Sequence, residues 1–156
     1  MVQLVPMTEA EFQIYLQRAI IEYADEKVKA GNWQASEAMQ RSEQELKQLL
    51  PDGVKTQDQH LYSIMDETLA RPVGMVWVAA QGQGARPYAF IYDLRVDDPF
   101  RRKGYGTQAM RALEGKVKEL GLNKISLHVF AHNSAAIRLY EKMGYEVTNL
   151  FMAKEL

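Results

Sequence analysis

The segment Asp97-Asp98-Pro99-Phe100-Arg101-Arg102-Lys103-Gly104-Tyr105-Gly106-Thr107-Gln108-Ala109 (DDPFRRKGYGTQA) decides how this chain is read. Before it, YAFIYDLRV at 88–96 is rich in aromatic and branched side chains and reads as a β-strand ending near Val96. After it, Met110, Leu113, Val117 and Leu120 share one face of a helix expected over 107–120, with Gly121 where a C-cap belongs. A strand therefore passes through a loop carrying Arg101, Arg102 and Lys103 into a helix opened by Gly104-x-Gly106. Helix N-termini present unpaired N–H groups and the positive end of the helix dipole. Glycine lets an anion approach the backbone closely, and three adjacent cations attract a polyanion. By its chemistry the segment is a pyrophosphate cradle.

The flanking sequence supplies a sheet and its helices. Val2–Val5 is a short apolar run read as a strand. Thr8 and Glu11 form a capping-box pattern, and Phe12, Tyr15, Leu16, Ala19, Ile20 and Tyr23 recur at helical spacing until about Gly31. A second helix is expected over 36–50, capped by Ser36 and stopped by Pro51-Asp52-Gly53. Residues 60–65 and 73–80 are β-like runs divided by a polar segment, and Gln81-Gly82-Gln83-Gly84 is a turn signal before the strand at 88–96. Ile125, Leu127 and Val129 alternate with polar neighbours over 124–130, a half-buried strand; 134–143 reads as a short helix closed by Gly144, and 145–154 as one strand or two. The order is β-α-α-β-β-β-α-β-α-β, an α/β (α+β) sandwich built on a mixed, mostly antiparallel sheet, in one domain over 1–156.

Composition narrows the function. With 156 residues, 47% hydrophobic and 25% charged, the chain matches one ordinary globular domain. No run approaches the roughly 18 consecutive apolar residues of a spanning helix. The N-terminal MVQLVPMTEAEF lacks a basic region followed by an apolar one, so no secretory signal is expected and a cytoplasmic location follows. Nineteen basic and 20 acidic residues leave a net charge of -1, without the basic bias of a nucleic-acid binder. The absence of cysteine excludes a disulfide framework, thiolate metal sites and an acyl-cysteine intermediate. His60, His128 and His132 are too scattered for a metal motif.

Three ligand classes use such a cradle. A Walker loop requires GxxxxGK[ST], which the chain lacks. Gly104-Tyr105-Gly106-Thr107-Gln108-Ala109 matches the dinucleotide pattern GxGxxA. However, several loop residues separate it from its strand, and the next strand ends in Val129-Phe130-Ala131 instead of an acidic residue. The third class is coenzyme A.

Arg101-x-x-Gly104-x-Gly106 resembles the [QR]xxGx[GA] signature of the GNAT acetyltransferase superfamily, and it follows a strand ending in LRV as that family's does. HVFAHNSAAIRLYEKMGY, His128 to Tyr145, resembles the family's second hallmark: an asparagine, then a helix carrying a tyrosine and ending in a Gly-aromatic pair. The order of elements fits over nearly the whole chain, and the likeness is to GNAT proteins of bacilli without an assigned substrate.

The resemblance implies acetyl-CoA as co-substrate, no metal, and backbone N–H groups of Arg101, Arg102, Lys103, Gly104, Tyr105, Gly106 and Thr107 on the pyrophosphate. Leu94, Arg95 and Val96 would line the pantetheine arm between splayed strands, with an N–H near Val96 polarising the thioester carbonyl. Tyr140 is the implied general acid and a cofactor contact, because a phenol of pKa near 10 is protonated at neutral pH; by spacing alone it reads as a core aromatic beside Ile137 and Met143. Asn133 reads as a helix cap and, by resemblance, as a cofactor contact. Asp93 is the candidate base for the amine, with a water chain beside Tyr88 and Tyr92, or a purely structural hydrogen bond of Asp93, as the alternatives. Without cysteine, direct attack in a ternary complex is the simplest route. The acceptor is a small-molecule amine or a peptide or protein amine, met by residues 15–33 and 60–67, where Glu22, Asp25 and Glu26 offer negative charge and Tyr23, Trp33 and Tyr62 offer aromatic walls. A non-catalytic acyl-CoA-binding module and a dinucleotide oxidoreductase are the competing readings. Neither nucleic acid nor membrane is an expected partner, and a homodimer stays open.

Overall fold

A computed structural model of the chain describes residues 1–82 and 86–156. The elements in chain order are β1 (Val2–Pro6), α1 (Glu9–Lys29), α2 (Ala35–Leu49), a 3-10 turn (Gly53–Lys55), β2 (Gln59–Asp66), β3 (Arg71–Gln81), β4 (Tyr88–Val96), a second 3-10 turn (Asp98–Phe100), α3 (Tyr105–Glu119), β5 (Ile125–Leu127) and α4 (Ser134–Lys142). The sheet order is β1-β2-β3-β4-β5, antiparallel throughout except for the parallel pairing of β4 with β5. No helix among the described residues is long and apolar enough to cross a membrane.

Local chemistry explains most of these boundaries. The capping box forms as read: the Thr8 side chain accepts from the Glu11 N–H, and the Glu11 side chain accepts from the Thr8 N–H. Gly31 ends the α1 segment in a left-handed conformation, φ +77°, that costs most other residues about 1–2 kcal/mol. α2 starts one residue early, at Ala35, and its N-cap Gln34 makes no side-chain capping bond. Ser36, the expected cap, therefore lies inside the helix. The turn expected at 81–84 includes Gln83 and Gly84, which lie outside the described residues.

Both faces of the sheet are covered. On one face Val76 and Val78 of β3 meet Ala109, Met110, Leu113 and Val117 of α3; on the other, Met75 and Trp77 meet Phe12, Tyr15 and Ala19 of α1 and Leu46 of α2. Alternate residues of β3 thus serve opposite cores, as period-2 side-chain geometry demands. The fully buried Ser42 hydroxyl donates to the Ile20 carbonyl at 2.7 Å and so locks α2 onto α1.

The expected last strand is absent. Residues 145–156 take no regular structure, and 146–156 are exposed. β5 is also shorter than 124–130. A strand needs a neighbouring edge, and alternation of side chains cannot supply one. β5 pairs with β4 at three positions only, and the tail does not return to it.

Candidate active site

The site begins with an irregularity in β4. Trp77 pairs with Asp93 and Val78 with Ile91, so Tyr92 is one residue too many for its neighbour strand. Such a bulge bends its strand and raises the local twist. Tyr92 stacks on Trp77 at 4.6 Å and its hydroxyl accepts from Gln81 Nε2 at 2.7 Å, which packs the bulge in place. β5 keeps step with Ala89–Ile91, before the bulge, and with nothing after it. β4 and β5 therefore diverge beyond Ile91, leaving the side of residues 92–96 that faces β5 open.

At the wide end of this cleft lies the basic loop. Asp98–Phe100 makes a tight turn, Arg102 and Gly104 both have positive φ (+64° and +83°), and Gly104 is the N-cap of α3. Gly104 has no side chain to cap the helix, so the first N–H groups of α3 face outward without an acceptor of their own helix. A Cβ placed on Gly104 would meet nothing within 4 Å, so space for a ligand is open above it. Gly106 packs instead against α4: an added Cβ would lie 3.1 Å from Leu139.

Several side chains named by the signature turn away from this loop. Arg101 donates Nε to the Val96 carbonyl at 3.0 Å and pairs with Asp98 at 2.9 Å, so it staples the loop to the end of β4. Tyr105 donates its hydroxyl to Asp66 at 2.5 Å, bridging α3 to β2. Arg95 pairs with Glu22 of α1 and lies 3.6 Å from Asp97. Leu94 packs on the α3 core. The side chains of Arg101, Tyr105, Arg95 and Leu94 thus have partners within the protein, and Arg102 and Lys103 are exposed cations.

Asp93 lies at the narrow end, just past the bulge. The Tyr15 hydroxyl donates to Asp93 Oδ2 at 2.8 Å. Burial pushes the Asp93 carboxyl above its ordinary value, the bonds from Tyr15 and the Leu94 backbone pull it partly back, and the Glu26 charge adds to the rise. Tyr140 is pushed up to about 12, first by burial and then by the Asp93 charge, so the carboxylate and the phenol feel one another directly. α4 presents Tyr140 because Asn133 caps it, its side chain accepting from the Ala136 N–H at 3.3 Å. His132, one residue earlier, lies 2.7 Å from Glu26 of α1 and ties the β5–α4 loop across the cleft. Sequence reading placed Tyr15 on an apolar helix face within the stretch expected to meet the acceptor, gave it no link to Asp93, and gave His132 no role. Their partners lie 78 and 106 residues away, and no local pattern points to them.

The described residues hold no group of three or more His, Cys, Asp or Glu able to bind a metal ion.

Known proteins resemble the chain over most of its length. The pattern of the acetyltransferase (GNAT) family matches residues 18–145. The Bacillus subtilis protein YycN, named an uncharacterised N-acetyltransferase, is 42% identical over 156 residues, spanning 99% of each chain. A second such protein of that organism, YdgE, is 35% identical over 96% of this chain and 95% of its own. The crystal structure of YycN superposes with a TM-score of 0.95 at 41% identity, covering 100% of this chain and 99% of that one.

Proposed function

This chain belongs to the acetyltransferase (GNAT) family and is an acyltransferase; on that premise we propose that it transfers the acetyl group of acetyl-CoA to a primary amine by direct attack in a ternary complex. The carrying observation is the bulge at Tyr92, beyond which β4 no longer pairs with β5; Asp93 follows it directly in β4, and the Asp93 charge raises the Tyr140 phenol.

The residues fit the co-substrate. Outward-facing N–H groups at Gly104 and the first turn of α3, with Arg102 and Lys103 beside them, suit a pyrophosphate. The unpaired side of residues 92–96 offers backbone groups to an extended amide-bearing arm, and an N–H there polarises the thioester carbonyl. Asn133 caps α4 and adds a cofactor contact.

A protonated amine cannot attack, since its lone pair carries the proton. Asp93, with its raised affinity for protons, takes that proton, either directly or through water. The amine nitrogen then bonds to the acetyl carbon, the carbon–sulfur bond breaks, and the nitrogen gives up a second proton to solvent, leaving a neutral amide. Tyr140 stays protonated far above neutral pH and donates its O–H to the departing sulfur. Its pKa near 12 makes this a hydrogen bond that stabilises the thiolate, with full protonation completed by solvent. On α1, Glu22 pairs with Arg95 and Glu26 meets His132, while Asp25 is exposed, and its negative charge suits a cationic acceptor.

The test is thiol release from acetyl-CoA across a panel of small amines, peptides and lysine-bearing proteins. Amine-dependent release that Tyr140→Phe reduces at least tenfold supports the assignment. Release that Tyr140→Phe and Asp93→Asn both leave unchanged rejects these roles.

A further inference from the structure

An open pocket of about 290 Å³ lies at the end of β4, lined by Arg18 of α1, Arg71 of β3, Arg95 of β4, and Asp97, Asp98 and Phe100 of the turn that follows. Its carboxylates are already matched. Asp97 pairs with Arg18 at 3.3 Å and Asp98 with Arg101 at 2.9 Å, while Glu22 of α1 takes Arg95 Nη1. Arg71 is left over. Among the described residues it makes no hydrogen bond or ion pair; its guanidinium lies 5.2 Å from the centre of the Phe100 ring, a contact that occupies none of its N–H donors. Arg95 holds a further unused donor. Its Nε is buried with no hydrogen-bond partner among the described residues, and Asp97 Oδ1, at 3.6 Å, is too distant to be one. A buried N–H without an acceptor is costly and uncommon in folded proteins. Burial and then the Arg18 charge lower the proton affinity of Arg95, and Asp97 restores only part of it. The pocket is thus short of an anion.

We infer that this pocket holds the oxyanion end, a carboxylate or a phosphate, of an amine whose amino end reaches Asp93. Two guanidinium groups with free donors suit such an anion, whose oxygens an arginine fork meets with paired hydrogen bonds. Asp93 and Arg95 are two residues apart in β4, beyond the bulge. They pair with Trp77 and Met75, which both face α1, so their side chains share that face. Two strand residues span about 7 Å. The amine and its anion must therefore stand several bonds apart. An α-amino acid, whose amine and carboxylate flank one carbon, is too short to satisfy both ends. α1 runs along the same path: Tyr15 bonds to Asp93, and Arg18 and Glu22 pair with Asp97 and Arg95. Carboxylate at one end and guanidinium at the other match a zwitterion better than a simple alkylamine. The anion site stands on the pocket itself; that its ligand is the acceptor rests on the acetyl-transfer reading.

Calorimetric titration of the full chain, with and without saturating CoA, should compare hexylamine, hexanoate, aminohexanoate and aminohexyl phosphate. One of the two anionic amines should bind about tenfold or more tightly than hexylamine, and the tighter of them identifies the anion. Arg71→Gln changes an exposed side chain, so it should keep the melting temperature and erase that preference. Asp93→Asn should bring aminohexanoate down to the affinity of hexanoate. Equal binding of hexylamine and both anionic amines, a preference that survives Arg71→Gln, or aminohexanoate binding no tighter than hexanoate would overturn the proposal. Thiol release from acetyl-CoA, measured separately with the same amines, tests the transfer reading. Its absence beside intact anion selectivity would remove acetyl transfer and leave the anion site standing.

Discussion

The Tyr15 hydroxyl donates a 2.8 Å hydrogen bond to Asp93 Oδ2 and so joins the first helix to the bulged strand at the narrow end of the cleft. That bond lowers the proton affinity of a carboxylate that burial raises. It sets how readily Asp93 gives up its proton, and therefore, on the proposed role of Asp93 as base, the pH at which catalysis begins.

Removing the donor with Tyr15→Phe should raise the Asp93 pKa further. The acid limb of the kcat/KM profile should then move to higher pH, with activity falling most below neutrality. Loss of a hydrogen bond to a charged acceptor should also cost about 1.5–3 kcal/mol of stability. A pH–rate profile and a thermal melt, each compared with the unaltered chain, check the two halves.

Asp93→Asn separates function from stability. The sign follows from a folded-state carboxyl pKa above its unfolded value: ionisation penalises the fold at pH above the raised pKa, and the penalty vanishes below the unfolded value near 3.9. Asparagine still accepts from Tyr15 but carries no charge. The variant should therefore lose about 10²-fold or more in kcat while melting a few degrees higher at pH 8, with that gain shrinking as pH falls toward 4. Melting curves from pH 4 to 8 read the trend.

Tyr140→Phe should lower kcat about 10²-fold with little change in KM, because it removes one donor to the leaving group and leaves the binding surfaces intact. Since its pKa is pushed up to about 12, Tyr140 should impose no alkaline limb on the pH profile below about pH 11. A rate loss centred near pH 10 would contradict this placement.

Gly74 makes a purely structural prediction. A Cβ there would stand 2.1 Å from the Arg95 carbonyl oxygen, a contact between two backbones that no rotamer relieves. Gly74→Ala should force β3 and β4 apart and cost about 3 kcal/mol, the upper end of what overpacking a core typically costs. Chemical denaturation measures it.

What the sequence disclosed follows from how local each signal is. The Thr8 capping box and the passage from β4 through the glycines into α3 are set by neighbours a few residues apart, and both form as read. The strand expected at 145–154 failed because a strand depends on a distant edge. The signature at Arg101-x-x-Gly104-x-Gly106 reports a backbone shape; it gave no sign that the Arg101 and Tyr105 side chains turn away to brace the loop. Tyr15 with Asp93, and His132 with Glu26, meet only because α1 crosses the sheet, so their pairing had no local signature.

The most direct test of the account is calorimetric titration of the full chain with acetyl-CoA, repeated on Gly104→Glu. The site has open space at Gly104, and the φ of +83° adds only modest strain, so the variant should fold while placing a carboxylate where the pyrophosphate belongs. The account predicts stoichiometric binding to the unaltered chain, weakened at least tenfold in the variant. Absence of binding at millimolar acetyl-CoA, or equal affinity in both proteins, would contradict it.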